Sequence, residues 1–118
     1  MRRAAILSLI AIMVVAVACA SFEENDLLDQ GYEMMTQGNY IKAEEYFTKV
    51  LDINPENPYA LLNLGVVYQN TDRIEQAKAM YNKVIALGAD ETPGEVSTDS
   101  AKGKSLVQIA KDNLALMQ

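Results

Sequence analysis

Apolar positions fall into two regimes along this chain. Residues 4–18, AAILSLIAIMVVAVA, form one nearly unbroken apolar run. From residue 21 onward apolar residues recur three and four positions apart, the spacing of helices that bury one face. The first such helix is predicted from about Glu23 to Gln37, where Gly38-Asn39 breaks the pattern. The second follows Asn39, a favourable N-cap residue. Tyr40, Ala43, Phe47, Val50 and Leu51 share its apolar face, and Lys42, Glu44, Glu45, Lys49 and Asp52 cover the other. Glu45 and Lys49 stand in the favoured i,i+4 order. Residues 54–58, NPENP, read as a turn, with Asn57 as cap and Pro58 in the first helical position. The third helix extends to about Gln69. Asp72 is expected to cap the fourth, with Glu75 completing a capping-box-like pair, and Gly88 to end it. Residues 89–100, ADETPGEVSTDS, read as a loop. Beyond it Leu106, Ile109, Ala110, Leu114 and Met117 mark a fifth helix.

The pattern repeats. Shifted by 34 positions, Gly31 falls on Gly65, Ala43 on Ala77, Phe47 on Tyr81, Lys49 on Lys83 and Val50 on Val84. Two helices within a period of this length are the signature of tetratricopeptide repeats, and the chain resembles that family. Its pattern is W-x2-L-G-x2-Y, then A-x3-F, then P. In the second unit Leu61 takes the Trp place, and Leu64, Gly65, Tyr68, Ala77 and Tyr81 follow it. In the first unit Leu27, Gly31, Ala43, Phe47 and Pro55 match, while Gln30 and Met34 replace leucine and tyrosine. Ala89 stands where the second unit would close with proline. The resemblance implies an all-α superhelix. Two tandem helix-turn-helix units, residues 24–57 and 58–91, are followed by the loop and a C-terminal capping helix, residues 101–118. The cap is needed because a repeat cannot bury its own face. Gly31 and Gly65 cost their helices about 1 kcal/mol each relative to alanine. Close approach of the paired helix offsets that cost.

In this family the first helix of each unit lines a groove that takes a peptide or protein segment. Carried onto this chain, the groove positions are Asn25, Leu28, Asp29, Tyr32, Met35 and Thr36, then Tyr59, Leu62, Asn63, Val66, Gln69 and Asn70. For Leu28, Leu62 and Val66, packing between helices is the stronger reading. The tyrosines offer contact area at little entropy cost. Asn63, Gln69 and Asn70 can bond a peptide backbone, and Met35 adds adaptable apolar surface. The carboxylate clamp of one subfamily is not supported, because Leu28 and Tyr32 stand where it has lysine and asparagine. The acidic margin suits a neutral to basic partner. Two repeats plus a cap make a thin core, so a homodimer, or a self-associating structural oligomer, is the alternative expectation.

The basic start and apolar run have the layout of a signal peptide, residues 1–18. Ala18-Cys19-Ala20 fits ordinary cleavage before Ser21. Residues 16–19, AVAC, resemble a lipobox in which Cys19 becomes the lipidated first residue. An uncleaved anchor is a third reading. Three features favour lipidation: Cys19 is the single cysteine, it stands where the apolar run stops, and polar chain follows. Residues 19–23 then form a tether that, extended at about 3.3–3.6 Å per residue, holds the domain within roughly 20–25 Å of the bilayer. With Ala20 after the cysteine, the sorting rule implies the outer membrane, facing the periplasm.

Composition removes several chemistries. Arg2 and Arg3 lie in the first segment, which leaves eight Lys/Arg against all 16 Asp/Glu, a net charge of −8. Such a domain repels nucleic acid. With no histidine and one cysteine, a His/Cys metal site, a disulfide framework and a histidine-based triad are excluded. The carboxylate pairs Glu23-Glu24 and Glu44-Glu45 are adjacent in sequence, so their members point to different sides of a helix and read as solvation. No catalytic residue, cofactor or metal is expected.

Overall fold

The computed structural model describes residues 2–90 and 102–118, and side chains from residue 17 onward within that range. The described residues form five helices: α1 (Arg2–Thr36), α2 (Tyr40–Ile53), α3 (Pro58–Asn70), α4 (Ile74–Leu87) and α5 (Leu106–Leu116). Successive helices pack against one another. α1, α3 and α5 follow one another, each touching the next, with α2 and α4 behind them.

The first helix departs from expectation at its start. It runs from Arg2 rather than from about Glu23, and the expected tether over residues 19–23 is helical. No glycine or proline stands between Arg2 and Gln30, so nothing in the backbone interrupts the helical ladder. Among the described residues no helix is long and apolar enough to cross a membrane.

Both tight turns within the repeats are built alike. Gly38 N donates to Met35 O at 3.0 Å and Asn39 N to Met34 O at 2.9 Å. One repeat later Asp72 N donates to Gln69 O at 3.4 Å and Arg73 N to Tyr68 O at 2.9 Å. Each is a Schellman closure, which needs a left-handed residue at its pivot. Gly38 takes it at φ 76° and Asp72 at φ 59°. Asp72 is therefore not the expected cap of α4. Arg73 holds that position, without a side-chain cap bond, and Glu75 pairs with Lys78 instead. Replacing Asp72 with glycine is expected to stabilise the fold by roughly 0.5–1 kcal/mol, the left-handed cost of a Cβ less the entropy a glycine loses. A raised thermal midpoint checks this.

The other helix ends follow the sequence. Asn39 Oδ1 accepts from Lys42 N, Asn57 Oδ1 accepts from Ala60 N, and Pro58 opens α3. Gly88 closes α4 at φ 64°. The expected loop at 89–100 falls mostly on residues 91–101, outside the described residues. Within the expected capping segment the helix begins only at Leu106, where Ser105 Oγ accepts from Gln108 N.

The core repeats with the sequence. Ala43, Phe47 and Val50 of α2 are fully buried, and so are Ala77, Tyr81 and Val84, their equivalents one repeat later on α4. The first group packs with Met35, Ala60, Leu64 and Val67. The second packs with Leu61, Leu62, Leu106 and Ala110, so α5 closes the exposed edge of the second repeat. Leu51, Val66, Tyr68 and Met80 touch both groups and join them into one core. A Cβ on Gly31 would lie 2.6 Å from Phe47 Cε1, and one on Gly65 2.5 Å from Tyr81 Cε1. The two repeated glycines are the points where the helices of each unit meet.

Candidate functional site

The face of α1 and α3 carries the positions expected to line a groove, and the structure divides them. Met35 is withdrawn, at 7% exposure in the first core group. It fills the space between repeats and offers no ligand surface. Gln69 is also committed, since its Oε1 accepts from the Tyr81 hydroxyl at 2.9 Å. Leu62 is buried, and Leu28 and Val66 are half-buried against the core. Asn70 is exposed, and its Nδ2 donates to Val66 O at 2.8 Å, leaving its second N–H and its carbonyl oxygen available. Asn25, Asp29 and Thr36 are exposed.

Tyr32, Tyr59 and Asn63 remain. Tyr32 rests one side on the first core group and Tyr59 on the second. Both are half-buried, and their hydroxyls have no bonding partner among the described residues. Asn63 is half-buried and its side chain makes no hydrogen bond among the described residues. Nor is any unbonded side-chain polar atom sealed from solvent there. Its amide is therefore open to a ligand. Two aromatic shelves and one open amide can hold a short extended or helical segment through apolar contact and backbone bonding.

Two features of the packing have partners that the sequence pattern does not identify. Arg73, at the turn between α3 and α4, grips Glu44 of α2 through Nη1 at 2.9 Å and Nη2 at 2.6 Å. Its Nε donates to Thr71 Oγ1 at 3.0 Å, and its guanidinium lies over the Tyr68 ring, 4.4 Å from the centroid. The planar fork suits a bidentate carboxylate and an aromatic face together. This clasp joins the two repeats. Glu44 and Arg73 are not equivalent positions of the two repeats, so the periodicity does not pair them. The second feature is the Tyr81 hydroxyl. Tyrosine in a phenylalanine place signals a buried hydroxyl needing partners. They are Gln69 of α3 and, within bonding reach, Asn113 of α5. Burial pushes this phenol well above the usual tyrosine range.

The hydrogen bonds from Arg73 hold the Glu44 carboxyl below its ordinary value of 4.5. A depressed carboxylate contributes stability that is complete above the unfolded value and is lost as pH falls through the lower folded one. Glu44→Gln is therefore expected to cost stability near neutrality and to flatten the acid limb of the melting profile below about pH 4.5. A double-mutant cycle with Arg73→Ala should return a coupling of about 1 kcal/mol, since both side chains are about a third exposed.

Among the described residues no three His, Cys, Asp or Glu side chains are grouped to hold a metal ion. Cys19 is exposed on α1.

Comparison with known proteins agrees with this geometry. A TPR repeat-containing protein of Methanocaldococcus jannaschii, MJ0263, is 31% identical over 58 residues, covering 49% of this chain and 18% of that protein. The photosystem I assembly protein Ycf3 of Rippkaea orientalis is 36% identical over 55 residues, 41% of this chain and 32% of that protein. A protein O-mannosyl-transferase of Caenorhabditis elegans, F38B6.6, is 35% identical over 49 residues, 42% of this chain and 7% of that protein. The chain thus spans no more than a third of the length of these relatives. No solved structure matches it. Residues 34–93 match the tetratricopeptide repeat family. With both repeats, their shared turns and their glycine contacts in place, the chain belongs to the tetratricopeptide repeat family.

Proposed function

We propose that this chain is a non-catalytic interaction module, a scaffold or assembly factor that holds a neutral to basic protein segment along the face of α1 and α3. The observation that carries the reading is the open Asn63 amide of α3, on a face that also holds the half-buried rings of Tyr59 on α3 and Tyr32 on α1. Tetratricopeptide domains in general bind proteins or peptides. A relative named as an assembly protein supports the same role. The segment shared with the transferase is a small part of that enzyme, so its name brings no reaction to this chain.

The module is further proposed to be a lipoprotein of a bacterial envelope, facing the periplasm and anchored through Cys19. The basic start, the apolar run and the position of the cysteine support this. Labelling with radioactive palmitate tests it: the wild type should take label and Cys19→Ser should not. An unlabelled wild type rules out the lipid anchor.

A photo-crosslinking residue at position 63, compared with one at Lys49 on the α2 surface, tests the binding face in cells. Adducts are expected at 63 alone. Equal adducts at both positions, or none, count against the face. An adduct of twice the chain mass favours the self-associating oligomer.

A further inference from the structure

One end of the domain gathers most of the exposed large apolar side chains among the described residues. α1 leaves the bundle there: Glu24 accepts hydrogen bonds from Asn54 and Asn57 of the turn between α2 and α3, and the helix continues outward from that level to Arg2. The end also holds the last turns of α2 and α4 and the first of α5, where Val107 N donates to Ala89 O. Six large apolar side chains are exposed among the described residues, and four of them stand here. Val17 and Phe22 lie on the outgoing helix, with Phe22 79% exposed. Ile53 and Leu87, equivalent positions of the two repeats, end α2 and α4. A shallow depression of about 300 Å³ lies beside them, with Pro55, Leu61, Ala86 and Leu87 in its lining.

The geometry points to this end as a surface that rests on lipid. The inference builds on the anchoring reading above. Cys19 and the domain belong to one uninterrupted helix, so the bilayer that takes the acyl chains of Cys19 also receives this end. Helical rise is about 1.5 Å per residue, which sets Cys19 only about 7–8 Å beyond Glu24, where an extended tether would have allowed far more. At that distance Phe22 lies at headgroup depth, and Ile53 and Leu87 close α2 and α4 at the same end, together an interfacial apolar rim. Glu23, Asp52 and Glu56 stand around these groups, and Lys83 is the cation lining the depression. Such an end does not recruit anionic lipid. The surface it fits is neutral, of the phosphatidylcholine or phosphatidylethanolamine kind.

The chain contains no tryptophan, so single tryptophans report position directly. Phe22→Trp and Leu87→Trp probe the proposed end. Ile41→Trp, at an 85% exposed site on the first turn of α2 at the opposite end, is the reference. The protein purified from membranes in its processed form is reconstituted into phosphatidylcholine vesicles with and without brominated acyl chains. Tryptophans at 22 and 87 should shift to shorter wavelength and lose intensity to bromine, while the one at 41 keeps its aqueous emission. A chain that floats with the vesicles but leaves position 22 as aqueous as 41, or quenches all three alike, overturns the lipid-resting end while leaving the anchor standing. A chain that does not float overturns the anchoring reading and this inference with it. Circular dichroism confirms that each variant is folded.

Discussion

Gly65→Leu is expected to be the most damaging single substitution in the domain. A Cβ there would sit 2.5 Å from Cε1 of Tyr81 and 2.9 Å from its Cδ1 and Cζ. The ring cannot swing aside. Tyr81 is fully buried and its hydroxyl is held by Gln69. Relieving the clash means parting α3 from α4 along their whole contact. Leucine regains the roughly 1 kcal/mol of helix propensity that glycine forgoes, but overpacking costs about 3 kcal/mol or more. For a domain this small each kcal/mol moves the midpoint by about 4–8 °C, so a fall of more than about 10 °C is expected by circular dichroism. Ala79→Leu, at an exposed position of α4, should leave it nearly unchanged. An unaltered midpoint for Gly65→Leu would contradict the close approach of the two helices.

Leu106→Ala is the second. Leu106 is fully buried and is the main apolar contribution of α5 to the second core group, against Leu61, Leu62, Tyr81 and Val84. Truncation loses its transfer energy and leaves a cavity, together about 2–5 kcal/mol. The loss should also be localised. The first core group contains no residue of α5, so hydrogen exchange should accelerate in α3 and α4 more than in α1 and α2. Leu116→Ala, at a largely exposed site, should be close to neutral. Uniform acceleration across all helices would show that the two repeats unfold only as one unit.

The second effect is legible in outline from spacing alone. Leu106 and Ala110 announce a buried face on the helix after the second repeat. The candidate site is less legible. Met35 and Gln69 occupy groove positions of the family pattern, yet one fills the core and the other serves Tyr81. A pattern assigns a residue to a helix face, but a rotation of one position decides whether that face meets solvent or a neighbour. Asp72 departs from expectation for a related reason. Aspartate favours caps by composition, but here the turn closes by backbone bonds and needs a left-handed pivot, as Gly38 shows at the same repeat position.

By itself the sequence determined what is local or periodic. Helix spacing, the asparagine caps at 39 and 57, the stop at Gly88, the repeat period and the paired glycines all follow from backbone preference and from the burial of one face. Only the tertiary structure decided the rest. The clasp of Arg73 on Glu44 and the commitment of Gln69 to Tyr81 depend on how one helix is rotated against the next. So does the gathering of Phe22, Ile53 and Leu87 at one end. No residue carries that rotation in its own propensity, because it is set by the summed packing of side chains far apart in the chain.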